Sequence, residues 1–386
     1  MTILGVVALV LVSIAWVGYP LAVTLLSWLR PGSASSPDQT LRSVSVVVAT
    51  REAPAVVAGR VENLLSTTYP RDLLEVVVAV DAAVASDLSD YVAHLPSTVR
   101  VVRGDPPGGK ALTLNAGVRA TSSDTLVFAD SAQRFDAGAI SMLVTFLANA
   151  EFGAVSGAYR TSPAAGEFLP LRAFWRLETQ IRRAEARLQG LVAVTGAIYA
   201  IRRRLWRPLP PGLICDDLYV PLHVAASGSR VGFCEEALAS DPRTFDLRQE
   251  FSRKARTLTG LLQVCRWCPW VLLPWRNPVW LQFVCHKLLR LATPYLLVLS
   301  LVALAPAVAN RAVAFWPAGA AALALLVMAA VARPTLTRRI LNRATWVIWF
   351  LATPIVATFN AMHGRWDVWQ EAAPAGSDAS LTAARV

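Results

Sequence analysis

The chain has 386 residues, 55% hydrophobic and 16% charged, with a formal net charge of +11. That length admits one large domain or two modest ones. The charge lies mostly between Arg30 and Arg256, and no nucleic-acid-binding module accompanies it. Nucleic acid is therefore set aside in favour of an anionic membrane face and substrate phosphates as the partners of the basic charge.

Residues 3–29 carry no charge and exceed the roughly 20 residues that a bilayer span needs. With no positive segment ahead of it and an apolar run too long for a signal peptide, this start reads as a retained anchor. The Pro/Ser/Gly-rich stretch after it is a linker. Three further spans are expected at 291–308, 312–332 and 344–362, with Arg333, Arg338, Arg339 and Arg343 between the last two. The positive-inside bias then puts the middle of the chain in the cytoplasm, and the protein in the inner membrane as a multi-pass chain. The expected division is an anchor at 1–30, a linker at 31–41, a catalytic domain at 42–256, an interfacial Trp/Pro-rich segment at 257–290, three transmembrane helices at 291–362 and a tail at 363–386.

Within the middle region, β-branched apolar runs at 44–49, 74–80, 98–102 and 125–129 predict strands, and helical patterns at 54–66, 111–120 and 136–150 separate them. Nearly continuous apolar strands alternating with helices predict an α/β fold with a mostly parallel sheet covered on both faces. The first strand runs into Thr50-Arg51-Glu52, the second into Asp81 and the fourth into Asp130. In such sheets ligands bind at the C-terminal edge, so Thr50, Glu52, Asp81 and Asp130 are candidate ligand residues.

The stretch GDPPGGK at 104–110 has the spacing of a phosphate-binding loop, but Ala111 lacks the magnesium-binding hydroxyl and the stretch follows the third strand. Lys110 is better read as a cation beside a phosphate or a base, with Asn115 further along the same helix. A helix at 169–189 sets Phe174, Leu177, Ile181 and Leu188 at helical spacing and five arginines elsewhere on its surface. That basic face suits water or anionic lipid equally. Cys265 and Cys268 lack a second pair or nearby histidines, which disfavours zinc and leaves reduced structural thiols.

The stretch that organises the chain is 190–220, an apolar run broken at Thr195-Gly196 and ending on adjacent carboxylates, Asp216 and Asp217. Neighbouring carboxylates repel, and burial raises at least one pKa, which prepares a general base. A helix N-terminus accounts for acids there as well, and the two readings are compatible.

Together, VVVATREA, VVVAVDAAVASD, GGKALTLNAG, FADSAQRFDAGAI, the segment from WRLETQ to AIYAIRR and CDDLYVPLHVAASGSRVGF resemble a membrane-bound family 2 glycosyltransferase, a relative of hyaluronan and cellulose synthases. The resemblance covers roughly residues 44–369 and implies a GT-A fold. It implies that Asp81 binds the nucleotide base or ribose, that Asp130 opens the D-x-D element, that Thr195 and Gly196 line the sugar pocket and that Asp217 is the catalytic base, preceded by Asp216. The D-x-D element reads Asp130-Ser131-Ala132 here, so Mg²⁺ or Mn²⁺ would be held by Asp130 without the second acid. For the clamp on diphosphate and acceptor there are two candidates. Gln263-Val264-Cys265-Arg266-Trp267 is a literal Q-x-x-R-W, whereas Arg253 and Arg256 lie nearer the family's interval from Asp217. The arginine pair is preferred.

The implied activity is an inverting transfer of a hexose from a nucleotide diphosphate, a UDP-hexose in the first instance, to a lipid or growing glycan. One base and direct displacement give inversion. A processive polysaccharide synthase and a catalytically silent membrane scaffold are the rival readings. Membrane lipids are partners, and self-association is compatible with the reading. A transporter is disfavoured because the spans hold no internal acids or bases.

Overall fold

The computed structural model describes residues 1–30, 41–161, 169–243, 246–307 and 334–366. At its centre is an eight-stranded sheet in the order β3-β2-β1-β4-β7-β6-β8-β5. Strands β1 (Val44–Thr50), β2 (Leu74–Val80), β3 (Arg100–Arg103) and β4 (Thr125–Asp130) pair in parallel, β1 lying between β2 and β4. The far side is mixed: β7 (Ile198–Arg202) runs antiparallel to both β4 and β6 (Phe152–Thr161), β8 (Arg230–Asp241) lies parallel to β6, and the two-residue β5 (Arg134–Phe135) runs antiparallel to β8.

The central strands are apolar on both faces because both are covered. On one face, α2 (Pro54–Leu65) sets Val57, Val61 and Leu64 against Val44, Val46 and Val48 of β1. The small helix α3 (Leu88–His94) and α5 (Ala139–Ala148) extend that layer. On the other face, α4 (Lys110–Arg119) brings Ala111, Leu114 and Val118 onto Val47 and Phe128. It sits so close that a Cβ on Gly117 would stand 2.6 Å from Val47 Cγ1. The four sequence-predicted strands and their helices are all present. With β7 and β5 antiparallel to their neighbours, the sheet is mixed but mostly parallel, as expected for a GT-A fold.

Below this second face lie the long helices: α6 (Leu169–Leu188), α7 (Asp216–Ala226) and α8 (Leu247–Trp267). Among the described residues two helices are long and apolar enough to cross a membrane, α1 (Thr2–Trp28) and α9 (Trp280–Ala307). They dock on α6 through a small apolar core of Tyr19, Val23, Ile181, Ala184 and Cys285. The expected span at 291–308 is thus the later part of a helix that starts at Trp280. The expected interfacial segment at 257–290 is divided among the end of α8, a short turn at Pro269–Leu272 and the start of α9. The expected span at 312–332 lies outside the described residues. That at 344–362 falls within α10 (Pro334–Met362).

Candidate active site

Helix α7 opens on the carboxylate pair. Asp216 and Asp217 occupy its first turn, where the exposed N–H groups and the helix dipole favour negative charge. Asp216 is only 5% exposed, and its Oδ1 stands 3.2 Å from Lys110 Nζ. The same ammonium lies 3.4 Å from Asp130 Oδ1 at the end of β4. Burial opposes the charge on Lys110, but Asp130, Asp216 and Asp217 outweigh it and hold the lysine above its ordinary range.

Asp217 is the partner left for chemistry. Its backbone carbonyl accepts from Val194 N at 2.9 Å, which ties the start of α7 to the loop carrying Thr195 and Gly196. A Cβ on Gly196 would lie 3.5 Å from Asp217 Cβ and 3.7 Å from Lys110 Nζ, so the loop passes directly over both groups. Burial and the charge of Asp216 push Asp217 up to about 6, against the pull of Lys110, Lys287 and Arg256. A carboxylate poised there is mostly ionised at neutral pH yet basic enough to accept a proton.

These residues line one cavity of about 480 Å³ that extends from the sheet edge to the apolar helices. Of the sequence-predicted residues it brings together Lys110, Asp130, Thr195, Gly196, Asp216, Asp217, Arg253 and Arg256. Arg256 makes no ion pair or hydrogen bond among the described residues. Arg253 Nη1 reaches Glu250 Oε1 at 3.3 Å.

Thr50, Glu52 and Asp81 are not part of that wall. Thr50 Oγ1 accepts from Glu52 N at 3.0 Å and closes the turn after β1, while Tyr91 donates to the Glu52 carbonyl at 2.8 Å. Asp81 is 1% exposed, and both its oxygens are engaged by the protein: Oδ1 by Ala83 N at 2.9 Å, Oδ2 by Arg51 Nε at 2.8 Å and by Gly109 N at 2.9 Å. Here it anchors the Gly108-Gly109 turn that launches Lys110. Gly108 has φ +99° and leaves no room for a Cβ beside Asp81 Oδ1. The phosphate-loop spacing of 104–110 is therefore a turn that aims Lys110 at carboxylates.

The literal Q-x-x-R-W also lies off the cavity. Gln263 is fully buried, its Oε1 accepting from Ile214 N and its Nε2 donating to the Gly212 carbonyl, both at 2.9 Å. It braces the loop that enters α7. Arg266 and Trp267 border a separate surface depression with Pro210, Pro211, Tyr219 and Cys268.

Several groups in the cavity gave no signal in the sequence. Arg182, expected on a basic helix surface, turns inward, with Nη1 2.9 Å from Thr195 Oγ1 and Nη2 2.7 Å from Ser156 Oγ. Glu178, Glu185, Lys254, His286, Lys287 and Arg290 line the end nearest the apolar helices. The i, i+4 and then i, i+3 spacing of Glu178, Arg182 and Glu185 on one helix is the pattern that could have marked an inward polar stripe.

Among the described residues no three His, Cys, Asp or Glu side chains are grouped to hold a metal. Asp130, facing the cavity, still offers one carboxylate, and Mg²⁺ is commonly held by one or two carboxylates together with substrate phosphates. The donor set therefore fits a cation that arrives with a diphosphate. It does not fit an all-protein metal site.

Residues 42–260 match the family described as "Glycosyltransferase like family 2". The chain belongs to this family. Among solved structures it is similar to a mannosyltransferase from Pyrobaculum calidifontis, solved in complex with GDP-Man and Mn²⁺: 24% identity over 94% of this chain and 99% of that one, with a TM-score of 0.67. It also matches glucosyl-3-phosphoglycerate synthase from Mycobacterium tuberculosis, solved with Mn²⁺, UDP and phosphoglyceric acid, at 19% identity over 62% of this chain and 84% of that one, with a TM-score of 0.42. No curated protein sequence matches. The sheet is accordingly that of a GT-A glycosyltransferase, and the related structures hold a divalent cation.

Proposed function

We propose that this glycosyltransferase is an inverting, multi-pass enzyme of the inner membrane, with its site facing the cytoplasm, that moves a hexose from a UDP- or GDP-linked donor to a lipid-borne hydroxyl. The observation that supports this is the single cavity that joins Asp217 to the helices long and apolar enough to meet a membrane.

In this reading Asp217 takes the proton of the acceptor hydroxyl as its oxygen attacks the anomeric carbon. The bond from that carbon to the diphosphate oxygen breaks on the opposite side, which inverts the centre. Arg256 and Arg253 meet the departing diphosphate with planar, two-pronged donors suited to phosphate. Lys110, held between Asp130 and Asp216, places a fixed positive charge beside the sugar. Mg²⁺ or Mn²⁺ bound at Asp130 and the substrate oxygens would supply further charge neutralisation there. Thr195 and Gly196 shape the sugar pocket, and Arg182 fixes Thr195 in place. Because Gln263 is consumed by the loop before α7 and Trp267 lies off the cavity, the arrangement favours single transfer over processive synthesis.

The test is to incubate membranes containing the protein with a panel of labelled UDP- and GDP-hexoses and to analyse lipid and polymer fractions. Label in the lipid fraction, absent with Asp217→Asn, is expected. Label only in polymer, or in neither fraction despite donor binding, would favour a processive synthase or a silent scaffold instead.

A further inference from the structure

The end of the cavity nearest the apolar helices holds more positive charge than its own carboxylates balance. Glu178 alone serves three bases: Arg290 Nη1 at 2.9 Å, Lys287 Nζ at 3.5 Å and His286 Nε2 at 2.8 Å. The neighbouring Glu185 is already engaged by Tyr19 Oη at 2.6 Å and by His286 Nδ1 at 2.9 Å. Arg290 is 10% exposed, and its second terminal nitrogen is buried with no hydrogen-bond partner. Lys254 has no carboxylate partner among the described residues. Its ammonium sits 4.4 Å from the centre of the Phe174 ring and 5.7 Å from that of Phe350. Burial, reinforced by Lys287 and Arg290, pushes Lys254 down to about 8 in spite of Glu178 and Glu250. Glu178 is thus shared among three bases while the partly buried Lys254 has no carboxylate of its own, an arrangement that a further anion would complete.

The walls around these cations narrow the choice of anion. Trp16 of α1, Phe174 and Trp175 of α6, and Trp349, Phe350 and Pro354 of α10 face the same space, and α1 and α9 are the helices long and apolar enough to cross a bilayer. A basic pocket between such helices suits the phosphate of a lipid headgroup, with acyl chains leaving between aromatic side chains. The opposite end of the cavity holds Asp217. A base there has work only if the acceptor brings a proton, so the attacking oxygen is a hydroxyl and not an oxygen of the phosphate itself.

We infer that the acceptor is an anionic phospholipid whose phosphodiester is held by Lys254, Lys287 and Arg290 while a free hydroxyl of its headgroup reaches Asp217. This rests on the glycosyl-transfer reading for the hydroxyl, but the phosphate site stands on its own and is tested without turnover.

The full-length protein in a neutral detergent would be titrated with phosphatidylglycerol, phosphatidylinositol, diacylglycerol and inorganic phosphate, with lipid binding read by native mass spectrometry and nucleotide-sugar binding measured in parallel. Saturable binding of the two anionic lipids is expected, with diacylglycerol and inorganic phosphate competing poorly. Lys254→Gln and Lys287→Gln should each weaken it about tenfold or more, the loss of one charge-assisted contact, with nucleotide-sugar binding retained. Wild-type affinity in both variants, or equal binding of diacylglycerol, would overturn the phosphate site. Competition by inorganic phosphate as effective as by the lipids would overturn the lipid. Failure of the wild type to bind any nucleotide sugar would instead sink the glycosyltransferase reading and leave the lipid site standing.

Discussion

The two ends of α8 carry arginine motifs of similar appearance and meet different surroundings. Near its start, Arg253 and Arg256 face the cavity shared with Lys110 and Asp217. Two turns beyond Arg256, Gln263 is buried against the backbone of residues 212–214, and Trp267, 38% exposed, sits by a separate depression. Between these two ends the helix passes so close to the start of α7 that a Cβ on Gly260 would collide with Cys215 Sγ. One end can therefore supply charge to the site, and the other can only hold the loop that carries it. A literal motif match marks a residue pattern. The helix face and the depth along the helix decide what the pattern touches.

The comparison can be broken by substitutions along this one helix. The largest effect is expected at its start: Arg253→Lys and Arg256→Lys should each lower turnover about tenfold or more, ~1.4 kcal/mol of transition-state stabilisation, because lysine cannot copy the fork. Steady-state kinetics on folded protein in which both are tolerated while Trp267→Ala abolishes transfer would reverse the assignment. Gln263→Ala should act through the fold. It strands a buried N–H and a buried carbonyl, at a cost of about 1–3 kcal/mol, visible as a lower thermal midpoint. Its effect on turnover should follow from a displaced α7, with nucleotide affinity unchanged.

A smaller and more diagnostic effect is electrostatic. The positive charge of Arg256 favours the ionised form of Asp217 and so lowers its pKa. Activity should fall as pH drops below about 6, when the base becomes protonated. Arg256→Gln should move that acid limb to higher pH, and Arg266→Gln should leave it in place. A limb that does not move in the first variant would place Arg256 outside the field of the base. Trp267→Ala should change turnover least and be seen in detergent stability.

Much of this was legible before the fold was known. The four parallel strands announced themselves as continuous apolar runs, because a strand covered on both faces has no polar side to show. The carboxylate pair and the Thr195-Gly196 break were visible because adjacent acids and a glycine after an apolar run are costly unless used. Asp81 was read from its strand-end position as a ligand residue, yet the Ala83 and Gly109 backbone and the Arg51 side chain engage both its oxygens. Position along a strand does not reveal which neighbour claims a side chain. The cations at the helix end were hidden for another reason. Arg182 resembles its exposed neighbours Arg183 and Arg187 in sequence, and Lys254, Lys287 and Arg290 come together from two different helices, α8 and α9. Mean hydropathy registered the span from residue 291 and missed its polar first turns, where His286, Lys287 and Arg290 lie.

The central claim is that the half-buried Asp217, in a cavity shared by the sheet edge and the apolar helices, is the base of glycosyl transfer. The most direct measurement is turnover of Asp217→Asn, with nucleotide-sugar affinity determined on the same preparation. Turnover reduced by roughly 10² to 10⁴, the range of a general base, with affinity nearly intact, is the expected result. Activity within a few fold of wild type, at unchanged affinity, would contradict it.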